Sequence, residues 1–225
     1  MAEVALVTGG ARRIGRAIVE RLAANGYAVA IHCGRARDEA DALAAGIVAN
    51  GGRAAVLVAD LVDPDAVAGL LPAAEAALGP VTLLVNNASS FLVDEVTAID
   101  VPTWNRQFSI NLRAPSVLAG ALANRLPEGR QGAIVNIIDQ RVWKLTPQYY
   151  SYTLTKAALL TATTTWRRAS ASTRSGPARR CPTPMTAPRR WSRRRPERCC
   201  ATRSMRARSR RRCSTSPAPA RSPGR

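Results

Sequence analysis

A tyrosine and a lysine four residues apart in the string SYTLTK, Tyr152 and Lys156, fall on one face of a helix. A phenol at its ordinary pKa of about 10 is a poor proton donor at neutral pH, and a neighbouring ammonium stabilises the phenolate and brings the acid toward working range. The pair therefore suits general acid–base chemistry. On its own this spacing is common and reads equally well as a surface pair, so its meaning depends on what accompanies it.

A second chemical feature stands near the N-terminus. The string LVTGGARRIG follows an apolar run of strand length and opens a helical stretch, the context a dinucleotide-binding turn requires. Gly9, Gly10 and Gly15 let the backbone turn tightly, and the amides at the helix N-terminus face a pyrophosphate. An ordinary strand-to-helix connection is the plainer reading. Arg12 and Arg13 read either as solvated arginines or as cations serving phosphate, and because positive charge in a first helical turn is mildly unfavourable, their placement favours a ligand. A guanidinium grips phosphate in bidentate fashion. Further along, IHCGRAR ends a second apolar run, and Arg35 offers a cation where an acid would serve unphosphorylated ribose hydroxyls. NADP is thus expected over NAD. Arg37 is either a second cation for the phosphate or an exposed loop arginine, and His32 reads as structural rather than catalytic.

The elements that must position these groups follow from periodicity. Apolar runs predict strands near Val4–Val7, Ala28–His32, Ala54–Val58, Val81–Val85 and Ala133–Ile138. Between them the spacing predicts helices over Ile14–Asn25, Asp38–Ala49, a third opening at Asp63 and Pro64, Thr103–Leu126 and Tyr149–Thr165. In the first, Ile14, Ile18 and Leu22 share a face, and Gly26 is placed as a left-handed terminator. Asp63 is a candidate N-cap, with Pro64 at the first helical position. Alternating strands and helices predict an α/β fold, a Rossmann-type doubly wound parallel sheet.

Of the 225 residues, 46% are hydrophobic, enough to build one sizeable core. The net charge of +18 is unevenly placed: residues 1–166 hold 14 basic and 14 acidic residues, whereas residues 167–225 hold 19 arginines and one acid, Glu197. That tail has no Leu, Ile, Val, Phe or Tyr, so it is expected to be irregular and disordered, a segment distinct from a domain over residues 1–166. No run is long and apolar enough for a membrane span, no basic region precedes the apolar N-terminus, and Cys33 is the one cysteine before residue 167. A cytoplasmic protein with no membrane partner and no metal site is expected.

Together these motifs resemble the short-chain dehydrogenase/reductase family, whose turn reads Thr-Gly-x-x-x-Gly-x-Gly. Thr8, Gly9 and Gly15 match it, and Arg13 stands where the middle glycine is usual. A basic pair at that place is similar to the pteridine reductase branch. NNAS after the fourth strand and Asn111 extend the resemblance. It implies that Tyr152 is the general acid, that Lys156 lowers its pKa and holds the nicotinamide ribose, and that Asn111 supports a relay water. It implies that Thr8, Gly9, Arg12, Arg13, Ile14, Gly15, Arg35, Asp60, Asn87 and Ala88 bind the cofactor, with Asp60 near the adenine. The family's serine thirteen residues before the tyrosine is replaced by Asp139, as in pteridine reductases. A carboxyl there suits a ring nitrogen where a hydroxyl suits a carbonyl oxygen, although Asp139 also reads as a plain loop anchor. Ser89 and Phe91 in NNASSF match positions that hold and stack a pterin, and Phe91 reads equally as core.

The implied function is NADPH-dependent reduction of a C=N bond in a pteridine-like small molecule, with a carbonyl substrate of 3-oxoacyl type as the alternative and an inactive NADP-binding remnant as a third reading. The resemblance runs to about residue 165 and would continue, in the family, through two more strands. A tail built of Arg, Pro, Ala, Ser, Thr and Cys is what out-of-frame translation of a GC-rich gene yields, so a reading-frame shift near residue 165 is expected. An arginine-rich arm for nucleic acid is the rival, without aromatic interleaving to support it. Cysteines 181, 199, 200 and 213 lack zinc spacing. Without the last strands the chain is expected to be poorly stable and weakly active or inactive, with the family's dimers or tetramers in doubt.

Overall fold

A computed structural model describes residues 2–172, with side chains described through Thr165. The apolar runs form five strands: β1 (Val4–Val7), β2 (Ala28–Cys33), β3 (Ala54–Val58), β4 (Val81–Asn86) and β5 (Ala133–Asn136). Parallel strands covered on both faces need near-continuous apolar sequence, and every residue of β1 and β2 is buried. All neighbours pair in parallel, in the order β3-β2-β1-β4-β5. The Rossmann-type α/β sheet expected from the sequence is therefore present. Among the described residues β5 is an edge strand, with Val135 44% exposed.

Successive strand residues point to opposite faces and build two cores. Leu6 and Leu84 pack with Leu70, Leu71, Leu118 and Leu122, from α3 (Pro64–Leu78) and α5 (Ala114–Arg125). Val7, Ile31 and Val85 pack with Val19, Leu43 and Ile47, from α1 (Arg13–Ala24) and α2 (Arg37–Ala49). Truncating a fully buried leucine such as Leu118 costs about 2–5 kcal/mol.

Local signals explain the helix ends. Asp63 accepts from the Asp65 amide at 2.9 Å and caps α3, and Gly26 ends α1 with φ +83°. The buried face of α1 is a correction: Gly15 and Val19 are buried, whereas Ile14 is 63% exposed. The helix predicted over Thr103–Leu126 is α4 (Val101–Phe108), a five-residue π-turn (Ser109–Arg113) and α5. Pro115 has no N–H for the carbonyl of Asn111 four residues back, which is the local reason the ladder widens there. The last helix, α6 (Tyr150–Ser172), continues past Trp166, so the first residues of the expected tail are helical. The remainder, including its cysteines, lies outside the described residues. No helix among the described residues is long and apolar enough to cross a membrane.

The chain runs from β1 to β2 and β3 on one side, then to β4 and β5 on the other, so the strand order reverses between β1 and β4. Ligands of such sheets bind beyond the carboxyl ends of the strands at that reversal. Many of the candidate residues lie in segments that emerge at those ends, Gly9–Gly15 after β1, Arg35 after β2, Asp60 after β3, Asn87–Phe91 after β4 and Asp139 after β5, while Asn111, Tyr152 and Lys156 lie in helical segments.

Candidate active site

A cleft of about 550 Å³ opens at the reversal, lined by Gly9, Arg12, Arg13, Ile14, Gly15, Arg35, Asp60, Asn87, Ala88 and Ser89 from the sequence expectation. His32, Gly34, Ala59, Leu61, Arg106 and Ile110 line it as well. The exposure of Ile14 has its reason here, since the first turn of α1 borders the cleft rather than the core. Arg37 is not among the lining residues and pairs with Asp41 at 3.2 Å on its own helix.

The glycines are required by close backbone approach. Gly9 has φ +63°, and a Cβ there would lie 3.0 Å from the Ala88 Cα. A Cβ on Gly15 would meet the Gly9 carbonyl oxygen. Arg13 adopts φ +49°, a left-handed conformation that costs a non-glycine residue about 1 kcal/mol. A glycine would adopt this conformation without that cost. Arg12 is held by the Glu39 carboxylate, which accepts from its Nε at 2.9 Å and also from Nη2. That ion pair keeps the Glu39 carboxyl below its usual range. Arg35 has no carboxylate partner among the described residues.

Thr8 stands behind the cleft as a rivet between β1 and β4. Its hydroxyl donates to the Val85 carbonyl at 3.3 Å and accepts from the amides of Asn87 and Ala88 at 3.0 and 3.1 Å. Asn87 Nδ2 returns bonds of 2.9 and 3.0 Å to the carbonyls of Thr8 and Gly9. His32 fixes the same turn: Nδ1 accepts from the Gly9 amide at 3.2 Å while Nε2 lies 3.1 Å from the Ala59 carbonyl. Both contacts are met only by the neutral tautomer protonated on Nε2. Burial lowers the His32 pKa, opposed by the Ala59 carbonyl and the Asp60 charge. Asp60 holds its own turn by accepting from the Val62 amide at 3.0 Å.

Tyr152, Lys156 and Asp139 are not among the lining residues and meet near Ser89. Tyr152 and Lys156 share a face of α6, are buried, and place Nζ 5.8 Å from the phenol ring centroid. Lys156 donates to the Ile137 carbonyl at 2.9 Å, and burial lowers its pKa, opposed by the Asp139 charge. The Tyr152 hydroxyl donates to Asp139 Oδ2 at 2.9 Å. Burial, reinforced by the Asp139 hydrogen bond and charge, pushes the Tyr152 pKa well above its ordinary value. Ser89 and Arg141 oppose that shift. Asp139 is also the loop anchor of the plainer reading, because Oδ1 accepts from the Arg141 amide at 2.8 Å.

Asn111 is fully buried in the π-turn, and its side chain is committed to protein partners. Nδ2 donates to the Ser90 carbonyl at 2.8 Å and the Thr155 hydroxyl at 3.2 Å, while Oδ1 accepts from the Ser90 amide at 2.7 Å and the Ser89 hydroxyl at 3.2 Å. It acts as a strut between the segment after β4 and α6. Phe91 is not core: it is 50% exposed, stacked on Tyr149 at 4.3 Å and edge-on to Tyr152 at 4.6 Å.

Several positioning groups had no sequence signal, because their partners are distant in the chain. Both oxygens of the buried Asp94 carboxylate accept from the Ser151 amide at 3.1 and 3.2 Å, where the N-terminus of α6 favours negative charge. Gln107, fully buried, donates to the Ser151 hydroxyl at 2.6 Å. These two fix the residue before Tyr152.

Residues 3–195 match the short chain dehydrogenase family, a match that runs past residue 165 into residues outside the described part. A solved structure of FolM, alternative dihydrofolate reductase 1, from Brucella canis complexed with NADP is 53% identical, with a TM-score of 0.73 over 75% of this chain and 68% of that one. A short chain dehydrogenase from Burkholderia cenocepacia in complex with NADP is 36% identical, with a TM-score of 0.71 over 76% and 69% of the two chains. A short-chain type dehydrogenase/reductase from Picea abies is 36% identical over 171 residues, 69% of this chain and 60% of its own length. A 3-oxoacyl-[acyl-carrier-protein] reductase from Synechocystis is 30% identical over 171 residues, 76% of this chain and 69% of its own. The chain spans about half to two thirds of the length of the curated relatives it matches. With the glycine turn, the strand reversal and the tyrosine–lysine helix in place, the family match makes this chain a member of the short chain dehydrogenase family.

Proposed function

We propose that this chain is an NADPH-dependent reductase acting on a C=N bond of a flat, pteridine-like heterocycle. The cleft suits the cofactor: Gly9 and Gly15 leave no room for a Cβ, and Arg13 and Arg35 line it without a carboxylate partner among the described residues, while Arg12 is paired with Glu39. Arg35 serves the 2′-phosphate, Gly9, Arg13 and the first turn of α1 the pyrophosphate, Asp60 the adenine side, and Lys156 the nicotinamide ribose. Bound NADPH supplies a hydride to the substrate carbon. The chain's own residues orient the ring against Phe91, exclude water around Tyr152 and deliver a proton from its hydroxyl to the ring nitrogen.

The observation that carries this reading is the 2.9 Å contact between Tyr152 and Asp139. The phenol holds its proton at neutral pH until the ring nitrogen takes it, and the tyrosinate left behind regains a proton from solvent. Similarity to a 3-oxoacyl reductase favours a carbonyl substrate as the second reading. Asp139, in the place of a hydroxyl, weighs against it.

The test is NADPH consumption by this chain with a dihydropteridine and with a 3-oxoacyl thioester, alongside NADPH and NADH binding. Oxidation of NADPH with the dihydropteridine supports the proposal. Consumption with the thioester alone supports the carbonyl reading, and tight NADPH binding without turnover of either supports a binding remnant.

A further inference from the structure

The segment after β5 carries a cation that the reaction outlined above does not use. Arg141 lies in a short 3-10 turn, Gln140–Val142, directly after Asp139. Its guanidinium carbon is 4.3 Å from the Tyr149 ring centroid and 5.6 Å from that of Phe91. The rings of Tyr149 and Phe91 are parallel to within 3°. The loop fixes the arginine at both ends: its amide donates to Asp139 at 2.8 Å and its Nη1 to the Thr146 hydroxyl at 2.7 Å. Tyr149 holds φ +60°, one of two non-glycine residues with positive φ among the described residues, so its ring is placed by a strained backbone.

Electrostatically this arginine is unanswered. Arg12, Arg16, Arg37, Arg125 and Arg130 each pair with a carboxylate, and among the described residues Arg141 does not. The nearby acid, Asp139, already accepts from the Arg141 amide and from Tyr152. The guanidinium is partly buried against two aromatic faces, near enough that its charge opposes the raised pKa of the Tyr152 hydroxyl. A cation held there, with donors left over, is positioned to meet an anion on whatever enters beside Phe91.

We propose that Arg141 is a specificity-determining residue that makes this site prefer a flat heterocycle bearing a carboxylate arm over the same ring without one. This rests on the pteridine-like reading of the site. The ring lies beside Phe91 and Tyr152, and the arm follows the Tyr149 ring to the guanidinium, which binds its carboxylate.

The experiment titrates the full chain, loaded with NADP, with folic acid and with 6-methylpterin, reading quenching of its intrinsic fluorescence. The two ligands share the pteridine ring, and folic acid alone carries a carboxylate arm. Folic acid is expected to bind tighter by on the order of tenfold, the worth of one charge-assisted pair, with the ratio shrinking as salt rises. Arg141→Gln is expected to bring the ratio to near one, and Arg141→Lys to restore part of it. Should Arg141→Gln fail to fold, Thr146→Val, which frees the guanidinium from its hydroxyl, is expected to shrink the same ratio. Equal binding of the two ligands by the unaltered chain, or a ratio that survives Arg141→Gln, overturns the proposal and leaves the pteridine reading standing. Binding of neither ligand overturns both.

Discussion

The hydroxyl of Tyr152 and the carboxylate of Asp139, thirteen residues apart in the chain, meet at 2.9 Å because α6 and the segment after β5 converge at the carboxyl edge of the sheet. Burial of the phenol, together with the hydrogen bond and charge of Asp139, raises its pKa. Asp139→Asn removes the charge and leaves the burial. The variant's phenol is expected to ionise at lower pH than that of the unaltered chain, though still above an exposed tyrosine. Ultraviolet titration of tyrosinate, with Tyr152→Phe as the blank, reads this directly, and identical curves for Asp139→Asn and the unaltered chain would show the contact to be inert.

The same raised pKa has a consequence for stability. Between about pH 10, where an unfolded phenol ionises, and its higher folded value, the unfolded chain binds fewer protons, so stability falls as pH rises. Tyr152→Phe is expected to flatten that part of the alkaline melting curve. An unchanged slope in the variant would assign the alkaline loss to other groups.

His32 carries the opposite sign. Its folded pKa is lowered, chiefly by burial, so its contribution to stability is present above about pH 6.5 and is lost as pH falls through the folded value. Protonation on Nδ1 also removes the acceptor for the Gly9 amide and loosens the Gly9–Gly15 turn. NADPH affinity is therefore expected to fall in mild acid more steeply for the unaltered chain than for His32→Gln, with NADH as the control for protonation of the 2′-phosphate. Parallel pH profiles would remove His32 from the account.

Arg13 sets stability against binding. Arg13→Gly relieves the φ +49° strain, offset in part by the greater freedom of glycine in the unfolded chain, for a net gain of up to about 1 kcal/mol. It also removes a cation from the cleft, so NADPH affinity is expected to drop by on the order of tenfold. Thermal melting and nucleotide titration of one sample check both halves. A variant that binds NADPH as well as the original would make Arg13 an accident of sequence.

Much of this fold is legible in the sequence. The Val4–Val7 and Ala54–Val58 strands were read to the residue, because short β-branched and apolar runs between turn residues leave little choice. Site segments could be located because they follow strands, as the sheet topology demands. Periodicity failed where a helix serves the cleft: Ile14 fits the apolar face of α1 by spacing, yet the first turn faces the opening. It also could not show the π-turn at Asn111, whose one local sign is Pro115. Helical spacing points from Tyr152 to Lys156, whereas the hydrogen-bond partner of its hydroxyl, Asp139, comes from another element. Asp94 and Gln107 escaped for the same reason, their contacts with Ser151 spanning distant parts of the chain.

The central claim, that Tyr152 delivers the proton in an NADPH-dependent reduction at this cleft, is tested most directly by one paired measurement. NADPH consumption with a dihydropteridine is followed for the unaltered chain and for Tyr152→Phe, with the NADPH dissociation constant determined for both. The expected result is a loss of at least about a hundredfold in rate at an unchanged dissociation constant. A phenylalanine variant that consumes NADPH as fast as the original would contradict it.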